Sequence, residues 1–182
     1  MSIALALLAV LVLTLGTGYF VAQEFAFVSA DRLTLSQQAA AGDRRAGRAV
    51  KVMERLSFML SGAQLGITVT TLVVGFIAKP ALAGVVAPPL AAVGLAGGTL
   101  DAVSLLLGFL IATVLQMILG ELVPKNLALA RSEPLARALA SSTLIYMTVA
   151  GPLIRLFDSA ANRLATRCRV RASSPPARRG AE

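Results

Sequence analysis

Four apolar stretches separated by short polar or Gly- and Pro-bearing segments set the frame of this 182-residue chain. Residues 1–23, MSIALALLAVLVLTLGTGYFVAQ, contain no charged side chain. At about 1.5 Å of rise per residue they reach across a hydrocarbon core of roughly 30 Å, so they predict a transmembrane helix. That helix should cover residues 3–28, and a cleaved leader is not expected, because no Lys or Arg precedes the apolar run and it continues past Gly16 and Gly18. A second run, Phe58 to Ala78, predicts a span over 57–79 that stops at Lys79 and Pro80. A connector with several Gly and Pro residues follows, then a third run that predicts a span over 100–121. The fourth, Ala138 to Ile154, is short, is interrupted by Gly151 and Pro152, and carries Ser141, Ser142, Thr143 and Thr148.

The segments between these runs decide the topology. Asp31 to Arg55 holds six basic and three acidic residues. Asp43 is placed to cap a helix in which Ala46, Ala49, Val50 and Met53 share one face while Arg44, Arg45, Arg48, Lys51 and Arg55 lie largely off it. Residues 31–56 therefore read as short basic amphipathic helices suited to a membrane surface. The chain after Arg155 is also Arg-rich, and the positive-inside rule puts both basic blocks in the cytoplasm. Three apolar runs lie between them where parity allows only an even number of crossings. The interrupted fourth run is the one expected not to span. The prediction is an all-α membrane protein of the plasma membrane, with three transmembrane helices, an outside N-terminus and a cytoplasmic C-terminus. A kinked juxtamembrane helix covers 135–165 and a basic Ser/Pro linker covers 166–182.

Composition narrows the chemistry. The net charge of +8 would suit a nucleic-acid binder, but such a protein does not hide its charges between 20-residue apolar runs, so no nucleic-acid partner is expected. A single cysteine and no histidine remove disulfides, cysteine clusters and the commonest transition-metal ligand. No nucleophile–base pair is evident, and an enzyme is not expected. Carboxylate, hydroxyl, amide and carbonyl oxygens remain, a ligand set for hard cations.

Two helices carry that set. In the second run Ser61, Gln64, Thr68, Thr71 and Gly75 recur at spacings of three and four, a stripe that fits either helix packing or ligand contact. In the third, LQMILGELVPKNLALA places Pro124 four residues after Gly120. In an α-helix Pro124 has no N–H for the Gly120 carbonyl, and Glu121 supplies a carboxylate one residue on, which together make half of a cation site. Glu24, near the cytoplasmic end of the first helix, is the other acid candidate, and the two are expected to face one inward-open cavity. The alternative for each is an acid that reaches the interface or pairs with Lys125 or an arginine.

The string GELVPKNLALA, preceded by LSGAQLGITVTTLVVG and by EFAFVSADRL and AAAGDRRAGRAVKVMERL, resembles the transmembrane domain of the CNNM/CorC family of magnesium transporters. The likeness runs from about Gly18 to Arg167. It implies a homodimer of three-helix protomers with a cytoplasmic helix pair after the first span and a juxtamembrane belt after the third. It also implies an inward-facing Mg²⁺ site, which by motif falls on Gly120 and Glu121 and around Gln64, Thr68 and Thr71. The expected activity is divalent-cation transport, Mg²⁺ efflux with Na⁺ as a candidate exchanged ion. The alternative is a non-transporting membrane scaffold or ion-sensing dimer module. Two positions depart from the family pattern: Val21 and Ala22 stand where a Ser-Gly pair is common, and Thr71 or its neighbour stands where animal relatives carry asparagine. The family commonly continues into adenine-nucleotide-binding CBS domains, which are not expected within these residues.

Overall fold

The computed structural model describes residues 3–157 and 159, and every regular element among them is helical. Helix α1 (Ile3–Ser29) leads into the short helices α2 (Arg32–Ala40) and α3 (Arg44–Met53), and the chain then enters the long α4 (Leu56–Ala92). Helix α5 (Gly97–Leu115) runs on through a π-helical turn (Gln116–Leu122) into α6 (Val123–Ala130), after which α7 (Ser132–Val149) begins. Three helices are long and apolar enough to cross a membrane: α1, α4 and the continuous rod Gly97–Ala130. Their outward surface is rich in Leu, Val, Ile and Phe, as lipid-facing helices require.

Helices α4 and α5 form an antiparallel hairpin whose turn places Gly94 at φ 93° and Gly97 at φ 59°, backbone that residues with a Cβ rarely adopt. The sequence predicted a stop at Lys79 and Pro80, but α4 continues to Ala92 through Pro80, Pro88 and Pro89. Residues past Pro80 remain apolar, Ala81 and Ala83 are buried, and the Ala83 backbone lies against Gly108 of α5, so packing and the membrane setting outweigh the hydrogen bonds each proline removes.

The best-packed core lies at the end of the bundle where α1 finishes and α4 starts. There Ala26 and Phe27 of α1, Leu35 of α2, Ala46, Ala49 and Val52 of α3, Met59 and Ala63 of α4, and Ala136 and Ala140 of α7 form one buried cluster. The apolar face of α3, read from sequence as suited to a membrane surface, is spent on this protein core. Arg44, Arg45, Arg48, Lys51 and Arg55 remain exposed on its other side. Asp31 caps α2 through the Leu33 and Thr34 N–H groups, and Asp43 caps α3 through those of Arg45 and Ala46. Helix α7 then bends by 75° into a short helix, Gly151–Phe157, at the Gly-Pro interruption. The two pieces pass as a crossing only if counted together. The end of the expected juxtamembrane helix and the 166–182 linker lie outside the described residues.

Asp43 also accepts a hydrogen bond from Arg137 of α7 at 2.9 Å, an ion pair that ties the α3 cap to α7. The Ala46 and Arg45 N–H groups, with Arg137, hold its carboxyl below the usual aspartate range. A carboxyl depressed in the folded state stabilises above its unfolded value, and that contribution is lost as pH falls through the lowered one. Asp43→Ala should therefore lower the Tm at neutral pH. The gap to wild type should close as melts are taken to acid. A gap that stays constant down to pH 2 would remove the carboxylate from the explanation.

Candidate cation cleft between the second and third spans

The third span passes its proline by widening rather than breaking. Val123 N–H donates to Ile118 O, a five-residue step in place of the four-residue step assumed from sequence. On that ladder the partner Pro124 cannot serve shifts from Gly120 to Leu119. Leu119 O turns toward α1 at Gly18, where a methyl group would stand only 3.2 Å away. Gly120 is itself buried under the Gln116 amide, whose Nε2 would lie 2.9 Å from any Cβ added there. The missing side chain lets Gln116 fold down along the helix.

Past this turn, Glu121 stands exposed at one end of a cleft of about 480 Å³ between α4 and the third span. Thr71 and Gly75 of α4 line one wall, and Phe109, Thr113, Gln116 and Met117 line the other. Lys79 closes the far end, its Nζ 4.8 Å above the centre of the Phe109 ring. From Phe109 to Glu121 is twelve residues, roughly 18 Å of helix. The cleft is thus electrically lopsided, with a cation at one end and a carboxylate at the other. No basic group lies within ion-pair distance of Glu121 among the described residues. The Thr71 hydroxyl is buried with no hydrogen-bond partner among them.

Behind the cleft a polar chain crosses three helices. Thr14 donates to Gln116 Oε1 at 2.9 Å, Gln116 Nε2 donates to Thr17 Oγ1 at 3.1 Å, and Thr17 donates to Thr70 Oγ1 at 2.8 Å. Thr70 in turn bonds the Gly66 carbonyl of its own helix at 2.8 Å. Gln116, at the start of the wide turn, is held from α1 on both ends of its amide. Thr17→Val keeps the shape and removes the acceptor, leaving Gln116 Nε2 unpaired, which should destabilise by about 1–3 kcal/mol. Thermal melts of the variant in detergent or nanodiscs check this, and an unchanged Tm would contradict it.

The structure places Thr71 and Glu121 on one cleft, with Gly120 buried beside it under Gln116, but not the other sequence candidates. Gln64 and Thr68 line a separate groove with Ser61, Leu72 and Phe157, and the Thr68 hydroxyl bonds back to Gln64 O. They lie on the same stripe of α4 as Thr71, but periodicity does not say which neighbour covers the stripe at each depth. Glu24 does not line the Glu121 cleft; Lys125 is the cation that acts on it, with Nζ over the adjacent Phe25 ring at 4.6 Å. Val21, where the resembled family often has a hydroxyl, is buried and apolar. Among the described residues no three acidic or sulfur ligands converge as a metal group. Sequence reading missed Thr14, Thr17, Thr70 and Lys79, although two threonines three residues apart in an uncharged span already mark an inward face.

The family model described as the Cyclin M transmembrane N-terminal domain matches residues 7–179. This chain belongs to the CNNM family. The chain is 42% identical over 88% of its length to the UPF0053 protein MT1890 of Mycobacterium tuberculosis, covering 35% of that protein. It is 32% identical over 81% of its length to the UPF0053 protein YhdT of Bacillus subtilis, covering 32% of it. The CNNM domain here thus spans about a third of the length of these curated relatives. The matched region takes in α1 from its second turn onward, the other two long helices, the wide turn and α7.

Proposed function

We propose that this CNNM domain moves a divalent cation, Mg²⁺, across the membrane through the cleft at Glu121. The observation that carries the reading is an exposed carboxylate at one end of a cleft between two membrane-spanning helices, with no cation paired to it among the described residues. An acid on a spanning helix is costly unless it faces water or a cation. The Thr71 and Thr113 hydroxyls line the same cleft as neutral oxygens. Mg²⁺ sheds water reluctantly and prefers one or two carboxylates plus retained waters, so a roomy cleft with a single acid suits it better than a closed cage. The Lys79 charge at the opposite end repels a cation, so the ion is held toward Glu121.

The end bearing Glu121 is also the end bearing the basic face of α3. By the positive-inside rule it faces the cytoplasm, and the site loads from inside. We read the direction as efflux, with Na⁺ as the exchanged ion, in a dimeric unit in the plasma membrane. A second reading is favoured by the separation of Glu24, Gln64 and Thr68 from the cleft: a membrane scaffold or ion sensor without flux of its own. Proteoliposomes loaded with a Mg²⁺ dye separate the two. Flux above empty liposomes supports transport, and none under an imposed Na⁺ gradient supports the scaffold.

A further inference from the structure

The cleft face of the third span changes its period at the wide turn. Phe109, Ala112, Thr113, Gln116 and Met117 line the cleft with the alternating steps of three and one that an α-helix gives at about 100° per residue. An unbroken α-helix would carry the centre of that stripe on to Gly120 and set Glu121 about 100° to one side of it. The lining residue is instead Glu121, and Gly120 is buried. The five-residue step of the turn stacks residue i over i+5, which brings Glu121 into line with Gln116.

The backbone alone does not select this register. Pro124 has no N–H, so an α ladder leaves Gly120 O without a partner and the wider ladder leaves Leu119 O without one. One bond is lost either way. Side chains on one face of α1 break the tie. Thr14 donates to Gln116 Oε1 at 2.9 Å and Gln116 Nε2 donates to Thr17 Oγ1 at 3.1 Å, so both ends of the amide at the head of the turn are fixed from outside the helix. Thr17 is itself bonded to Thr70 of α4 at 2.8 Å, which anchors the clamp to a second span. Gln116 is buried, where such bonds meet little competition from water. Gly18, beside Thr17, leaves the room into which Leu119 O turns.

We propose that Gln116 is a positioning residue for the cleft carboxylate: clamped by Thr14 and Thr17, it holds the wide turn and so keeps Glu121 facing the cleft. That Glu121 meets a cation there rests on the transport reading; the direction it faces does not. Without the clamp the turn relaxes toward the α register and the carboxylate swings off the cleft stripe.

Glu121→Cys and Leu122→Cys, each in a Cys168→Ser background, report the facing of the turn through their rates of reaction with a cationic methanethiosulfonate in nanodiscs, where both faces of the bilayer are open. Leu122 is exposed but does not line the cleft, so the 121 site should react much faster. Adding Gln116→Leu should lower the ratio of the two rates about tenfold, the population shift expected when a two-state turn loses two hydrogen bonds. Thr17→Val should lower it less, and Thr17→Ser, which keeps the hydroxyl, should restore it. A ratio unmoved by Gln116→Leu, or as low in Thr17→Ser as in Thr17→Val, would overturn the proposal. If Gln116→Leu does not fold, the two Thr17 variants decide. Labelling needs no ion, so an unmoved ratio beside clear wild-type Mg²⁺ flux sinks the clamp alone, and a lowered ratio without flux sinks the transport reading alone.

Discussion

Gly108→Ala should destabilise this domain more than any other single methyl addition described here. Its Cβ would stand 2.6 Å from Ala83 N and 3.1 Å from both Ala83 Cα and Lys79 O. These are backbone atoms, which cannot swing aside as a side-chain tip can. At Gly66 the new methyl meets the Phe20 ring, and at Gly62 it meets Ile154 Cδ1, side chains that can rotate away. At Gly108 the α4–α5 hairpin itself must open. Forced overpacking of a tight helix contact costs roughly 1–3 kcal/mol, and a bulkier residue should cost more. The contact lies next to Lys79 and Phe109, so a forced opening also loosens the cationic end of the cleft. Thermal melts of Gly108→Ala and Gly108→Leu beside Gly75→Ala, whose Cβ meets nothing within 4 Å, make the comparison internal. Equal Tm values for Gly108→Ala and Gly75→Ala would contradict the close-approach account.

Glu121→Gln should nearly abolish cation movement while leaving the fold intact. The substitution keeps size and hydrogen-bonding capacity and removes only the charge. Nothing in the described structure uses that charge for stability, since no ion pair reaches it. The loss of a charged ligand interaction of about 1.5–3 kcal/mol corresponds to roughly a ten- to hundredfold fall in Mg²⁺ flux. Gly120→Ala acts differently: its methyl would press on the Gln116 amide and disturb the Thr14–Gln116–Thr17 chain, so it should lower both flux and Tm. That split, activity alone for Glu121 and activity with stability for Gly120, distinguishes a ligand from a packing residue. Equal Tm losses in both variants would reduce Glu121 to a structural role.

The long elements were legible because lipid imposes a strong rule: uninterrupted apolar runs and in-helix hydrogen bonding leave few alternatives to three spanning helices. Gly16 and Gly18 did not mislead, since the run continued beyond them. Pro80 did mislead, because a rule drawn from helices in water was applied to a segment that is apolar on both sides and pinned by Ala81 and Ala83. Pro124 was informative but incompletely so. It announced a disturbed ladder, whereas the π turn that redistributes the gap depends on Gly120, Gln116 and the contact of Leu119 O with Gly18, all tertiary facts. The α4 stripe showed the same limit: spacing grouped Gln64, Thr68 and Thr71 on one face, and only the fold reveals that the first two open onto a groove with Phe157 while the third lines the cleft with Gln116 and Phe109. Lys79 looked like a helix terminator and proved to be a charge inside the cleft.

On the proposed reading, Glu121 supplies the charge that draws a divalent cation into the cleft between the second and third spans. The most direct test is dye-reported Mg²⁺ flux in proteoliposomes, comparing wild type with Glu121→Gln at matched protein content and matched Tm. Clear wild-type flux should fall at least about tenfold in the variant. Undiminished flux through Glu121→Gln would contradict it.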